Sequence, residues 1–203
     1  MKTKETIAII GATTKIGSLI SKNLSLNDYR VLLTSKEAEK LISLKENILS
    51  LKPAADVYIS ECARNVSWEA DIIILACTRE FEEEIANNIE QVATGKVVIS
   101  ITVPLCGHTG KVSPTKTSYA EELQKRLPNA RIVKAFYTTH PSDFVQEKSQ
   151  IFIASNNGNT IQLAANVLTA AGFDPVVAGD LSVSRKMERM QMISSLKRVP
   201  GES

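Results

Sequence analysis

The sequence has 203 residues, 43% hydrophobic and 23% charged, a balance that suits a globular chain able to bury a substantial core. A formal net charge of +2 without long runs of one sign, and only 5% aromatic residues, supply neither the basic surface nor the stacking platform that nucleic acid requires. No apolar stretch approaches the ~20 residues of a membrane span, and the three cysteines (Cys62, Cys77, Cys106) share no metal-ligand spacing, so we expect a reduced, cytoplasmic chain without membrane, nucleic acid or structural metal.

In chain order, the spacing predicts a strand at Thr6–Ile10, a helix at Lys15–Leu26, a strand at Arg30–Thr34 and a helix at Lys36–Leu49. Strands at Asp56–Ile59 and Asp71–Ala76, a helix at Glu80–Val92 and a strand at Lys96–Ser100 follow. After an irregular stretch from Ile101 to Ser118 come a helix at Tyr119–Arg126 and strands at Arg131–Ala135 and Gln150–Ala154. A helix at Thr160–Ala171, a strand at Pro175–Val177 and a helix at Ser182–Leu196 complete the set. Gly11 and Lys15 interrupt the first apolar run, which therefore does not read as a secretory signal.

Most of these strands are β-branched and apolar on both faces, as strands covered by helices on both sides are. Their alternation with helices predicts an α/β fold: a doubly wound, mainly parallel sheet of the Rossmann type. We expect one domain over residues 1–203, with a core at 1–145 and a short strand–helix extension at 146–203. Ligands of such folds bind at the carboxyl edge of the sheet, where the long Ile101–Ser118 stretch also leaves its strand.

The turn after the first strand reads GATTKIG, Gly11 to Gly17. Small residues there let a backbone and a helix N-terminus approach a pyrophosphate. Two of the three glycine positions of G-x-G-x-x-G hold Ala12 and Thr14, so the motif alone also suits an ordinary strand–helix turn. Thr14 is expected to take space next to the phosphates while offering a hydroxyl to them.

The second strand ends in TSKEAEK, Thr34 to Lys40, with no carboxylate before Glu37. Ser35 is placed to cap a helix on which Lys36 and Lys40 share a face. Hydroxyls, two ammonium groups and a helix N-terminus suit the 2′-phosphate of NADP(H) better than the bare ribose of NAD(H). A solvated pair of lysines neutralised by Glu37 and Glu39 is the alternative.

The chain resembles the small NADP oxidoreductases that use the deazaflavin coenzyme F420, whose relatives include the reductase domains of membrane ferric reductases. IAIIGATTKIG is similar to the family's glycine turn, GGTGxxG, and TSKEAEK to its GSRxxxK segment. ADIIILACTREFEEEI, KVVISITVPL, SYAEELQKRLPNARIVKAFYTTHPSDF and GFDPVVAGDLSVSRKMERM follow in family order.

The resemblance implies that Thr13, Ser35, Lys36 and Lys40 surround the 2′-phosphate, and that Gly11, Ala12, Thr14, Lys15 and Ile16 line the pyrophosphate. It puts Ala76, Cys77 and Thr78 beside the bridge between adenine and nicotinamide. Val103, Pro104, Phe136, Tyr137, Thr138 and Leu181 would form the pocket of the second ring system, coenzyme F420 or a flavin. It further implies a homodimer. Cys77, Thr78, Tyr137 and His140 depart from the family's usual residues, which bears on the identity of the acceptor.

Hydride transfer between two ring cofactors requires positioning rather than a protein nucleophile, which fits a chain with two histidines and no evident dyad. Cys106 and His108 form a rival pair for acyl chemistry or, with His140, a metal site; a free thiol and a loop imidazole are the simpler reading. A regulatory module that binds NADP(H) without turnover is the rival of a different class.

Overall fold

The computed structural model describes residues 4–101, 117–137 and 149–188. The elements are β1 (Thr6–Ile10), α1 (Lys15–Leu26), β2 (Arg30–Thr34), α2 (Ala38–Leu51), β3 (Val57–Ile59), α3 (Ala63–Glu69) and β4 (Ile72–Leu75). Next come α4 (Arg79–Ile89), β5 (Val97–Ser100), α5 (Tyr119–Arg126), β6 (Arg131–Tyr137), β7 (Ser149–Ala154), α6 (Gly158–Ala170) and β8 (Phe173–Gly179). A 3-10 turn, Leu181–Val183, leads into a helical segment at 184–188.

The eight strands form one sheet in the order β3-β2-β1-β4-β5-β6-β7-β8. The order reverses between β1 and β4, so the connections leaving these two strands diverge and open a crevice at the carboxyl edge. β1 to β6 are parallel throughout, with Ile7 opposite both Val31 and Ile72 and Val98 opposite Ile132. β7 runs antiparallel to β6, pairing Ile151 with Tyr137, and β8 lies parallel to β7. The expected doubly wound α/β sheet is therefore present, and β7 and β8 add to its edge.

Alternation sorts each strand onto two cores. Ile7, Ile9, Val31, Leu33, Ile72, Ile74 and Ile99 face the layer of α1, α2 and α6, whose Ile20, Leu24, Leu44, Ile48 and Val167 meet them. Ala8, Ile10, Ile73, Leu75, Val98 and Ile132 face α3, α4 and α5 through Val66, Ile89 and Leu123. With both faces covered, every residue of β1, β4 and β5 is buried, which explains why these strands read as unbroken apolar runs.

Three expectations are corrected. The helix predicted from Lys36 begins at Ala38, with Glu37 rather than Ser35 at its N-cap and no side-chain cap bond. Ser35 and Lys36 belong to the connection before it, so Lys36 and Lys40 do not share a helical face. α3 was not anticipated, because its seven residues bury only Val66 and Ser67 and give no sustained period. The helix predicted from Ser182 is preceded by the 3-10 turn, and its part beyond residue 188 lies outside the described residues.

Gly172 follows the C-cap of α6 at φ +94, the left-handed conformation that ends many helices. β8 tolerates Pro175 because it is the sheet's last strand, whose outer edge makes no ladder bonds among the described residues.

Candidate functional site

Gly11 follows β1 at φ +85 and turns the chain under the crevice. Its amide and that of Ala12 both donate to Thr34 O, at 3.0 and 3.1 Å, which fixes the turn to the end of β2. A Cβ on Gly11 would lie 2.4 Å from Ala76 O, and one on Gly17 would lie 2.1 Å from Gly11 O. Both glycines are thus required by the approach of β1, α1 and β4.

Thr14 has a different task from the one its position suggests. It is the N-cap of α1, with extended backbone that needs no glycine (φ −66, ψ 159). Its Oγ1 accepts from the Gly17 amide at 3.0 Å and lies 2.9 Å from both Gly11 O and Ala76 O, to which it donates. The hydroxyl therefore faces the protein and ties the turn to β4, and it is not turned outward to a phosphate. Helix geometry leaves the Lys15 and Ile16 amides at the head of α1 without intrahelical acceptors, facing the crevice end of the helix.

Beyond β2, Thr13 and Ser35 place their hydroxyl oxygens 2.5 Å apart. Glu37 Oε2 accepts from Thr13 Oγ1 at 2.8 Å, Glu37 Oε1 pairs with Lys40 Nζ, and Ser35 Oγ accepts from the Glu37 amide at 3.3 Å. The Lys40 ammonium and then the Thr13 hydroxyl hold the Glu37 carboxyl below its usual range. Lys36 points elsewhere: Nζ bonds Glu84 of α4 at 2.9 Å and lies 3.9 Å from the centre of the Phe81 ring. Of the four basic or hydroxylic residues predicted here, Thr13 and Lys40 thus bond one carboxylate, Ser35 adjoins it through Thr13 and the Glu37 amide, and Lys36 is held by α4.

Across the crevice, Ala76 is buried and its amide donates to Ile10 O at 2.8 Å. Burial pushes the Cys77 thiol up to about 12, with nearby Glu82 adding to the effect, so it packs as a neutral thiol at physiological pH. Thr78 precedes α4 as its N-cap, yet its Oγ1 is buried without a hydrogen-bond partner among the described residues. Phe136 and Leu181, expected in an acceptor wall, are interior side chains, 1% and 2% exposed. Tyr137 ends β6, while Val103, Pro104 and Thr138 lie outside the described residues, as do Cys106, His108 and His140. Among the described residues no cluster of ligating side chains could hold a metal ion.

Beneath the ends of β5 and β6 lies a buried charge cluster that the sequence reading did not anticipate. Lys134 Nζ donates to Ser100 Oγ at 3.1 Å, and Ser100 Oγ donates to Glu82 Oε1 at 2.5 Å. Glu188 joins it, its carboxylate accepting from the Tyr119 and Ala120 amides at 2.9 and 3.3 Å. Burial lowers the Lys134 pKa and raises that of Glu188, each opposed by the charge of the other. The available signal was a lysine in RIVKAF at the inward phase shared with Ile132 and Phe136.

A second link lies at the surface. Arg185 Nε and Nη2 bond both oxygens of Glu121, at 2.8 and 2.5 Å, while Glu121 closes a capping box with Ser118. Arg185 first, then the Ser118 bonds, hold the Glu121 carboxyl at about 2. A depressed carboxyl contributes stability above its unfolded value of 4.5 and loses it as pH falls toward 2. Exchange of the Ser118 and Glu121 amides, which the capping box holds, should therefore accelerate as pH falls over that window once corrected for intrinsic rates; equal protection at its two ends would contradict the tether.

The architecture defines a dinucleotide-binding fold whose crevice is lined by a glycine turn, a helix N-terminus and a hydroxyl-rich notch. Residues 6–104 match the family described as NADP oxidoreductase coenzyme F420-dependent. The F420-dependent NADP reductase of Methanothermobacter marburgensis is 23% identical over 91% of this chain and 88% of its own length. That of Methanocaldococcus jannaschii is 27% identical over 64% of this chain and 61% of its own length. A protein from Arthrobacter sp. FB24, crystallised as a candidate F420-dependent NADP reductase, superposes with TM-score 0.75 at 20% identity, covering 95% of this chain and 92% of that one. Pyrroline-5-carboxylate reductase from Coxiella burnetii superposes with TM-score 0.69 at 19% identity over 91% of this chain and 62% of its own, sharing the fold. Over residues 6–104 the chain is thus similar to the coenzyme F420-dependent NADP oxidoreductases, and by class it is an NADP-dependent oxidoreductase.

Proposed function

We propose that this chain transfers a hydride between NADP(H) and coenzyme F420, working in the cytoplasm as a homodimer. The observation that carries the cofactor side is the Thr13–Ser35–Lys40 notch beyond β2, where Thr13 and Lys40 already converge on a carboxylate beside the Ser35 hydroxyl and so can hold an anion. The names of the relatives support F420 as the acceptor; a flavin is the second choice on the same argument of ring shape.

The residues fit the group. Thr13, Ser35 and Lys40, with Lys36 once released from Glu84, would hold the 2′-phosphate. The Lys15 and Ile16 amides, with Gly11 and Ala12 allowing close approach, would hold the pyrophosphate. Ala76, Cys77 and Thr78 would line the bridge, where the unpartnered Thr78 hydroxyl offers a hydrogen bond. When bound, the nicotinamide and the deazaflavin supply the hydride chemistry. The chain's own part is orientation: the neutral Cys77 thiol does not compete as a nucleophile, and the bonds of Thr14 fix the floor on which the turn rests. That same Thr14 cap supports the catalytic reading over an eroded glycine turn, since the threonine completes the turn rather than obstructing it.

The test is a pair of titrations. Lys40→Ala should weaken NADPH binding about fivefold and leave NADH binding unchanged, because one exposed charge contact to the phosphate is removed. Equal losses for both nucleotides, or none, would move the phosphate out of this notch.

A further inference from the structure

The Glu37 carboxylate stands where the proposed 2′-phosphate would find its donors. One oxygen accepts from Thr13 Oγ1 at 2.8 Å, the other pairs with Lys40 Nζ, and the Glu37 amide uses Ser35 Oγ at 3.3 Å. The side chain is short and sits at the N-cap of α2, between Ser35 and Lys40 in the sequence, so it cannot leave the neighbourhood. Lys36, beside Glu37 in the chain, is paired with Glu84 of α4.

We propose that Glu37 is a specificity-determining residue, an internal anion that competes with the 2′-phosphate for Thr13 and Lys40 and so narrows the preference for NADP(H) over NAD(H). This rests on the assignment of the notch to the 2′-phosphate. A dianionic phosphate and a carboxylate cannot share one hydroxyl and one ammonium without like-charge repulsion, so the phosphorylated cofactor binds only after Glu37 rotates out. A bare ribose brings no charge and leaves the Glu37 bonds intact. The residue therefore opposes one cofactor and is indifferent to the other. Because the carboxylate is exposed, the effect is modest and screened by salt.

The probes are 2′,5′-ADP and 5′-AMP, which carry the adenosine end with and without the extra phosphate. Titrated against the full chain and its Glu37→Gln variant, 2′,5′-ADP should bind the variant about three- to fivefold more tightly, and 5′-AMP should bind the two within about twofold. The gain should shrink at high ionic strength. If the wild type prefers 2′,5′-ADP and the variant shows no gain, the competition is refuted while the notch assignment stands. If the variant instead loses 5′-AMP, Glu37 is a ribose acceptor and the proposal is overturned. If neither protein prefers 2′,5′-ADP, the notch assignment and the proposal fall together.

Discussion

Replacing Lys134 with methionine is expected to destabilise the fold by about 3–5 kcal/mol at neutral pH. The methionine matches the stem in volume, so packing is largely kept and the loss is electrostatic. Glu82 and Glu188 are each 4% exposed and Lys134 is 1% exposed, so the ammonium is countercharge to two carboxylates that water cannot reach. Removing one partner of such a group leaves uncompensated buried charge, which costs far more than an exposed pair returns.

The sign with pH is fixed by the carboxylates. Glu188 already titrates above its ordinary value of 4.5 in the folded chain, through burial, and losing the lysine raises it further. A raised carboxyl contributes stability below its unfolded value and loses it as pH rises through the folded one. The deficit of Lys134→Met should therefore be large at neutral pH and narrow as pH falls toward 4.5. Urea unfolding at the two pH values measures both. A pH-independent deficit would assign the loss to packing instead.

Gly11→Ala is the second change with a large expected effect, about 2–5 kcal/mol, together with loss of nucleotide binding. Two costs add: the left-handed backbone at φ +85, and a Cβ placed 2.4 Å from Ala76 O, a backbone atom that can yield only by moving β4. Gly95→Ala separates them. It has φ +76 with nothing within 4 Å of the added carbon, so it should cost only the backbone term of about 1–2 kcal/mol and spare binding. Equal effects at the two positions would show that the close approach of β1 and β4 is not under constraint.

The sheet was legible because burial on both faces writes itself into sequence as short β-branched runs, and β1 and β2 begin and end where the pattern says. The parts that were not legible depend on side-chain direction. Thr14 reads as an intruder in a phosphate turn until its Oγ1 is seen to cap α1 and reach Ala76 O across the sheet. Ser35 has the chemistry of an N-cap, but the helix starts two residues later than a Ser35 cap would require, since Glu37 takes that position. The Lys134 cluster joins α4, β5, β6 and the segment after β8, positions up to 106 residues apart (Glu82 to Glu188), and no local period reports such a meeting.

The account stands on hydride transfer from NADPH at the carboxyl edge. Mixing the purified chain with coenzyme F420 and either NADPH or NADH, and following the loss of the deazaflavin's visible absorbance, tests this directly. The account predicts turnover with NADPH that exceeds turnover with NADH at equal concentration. No bleaching with NADPH, in a protein shown to bind it, would contradict it.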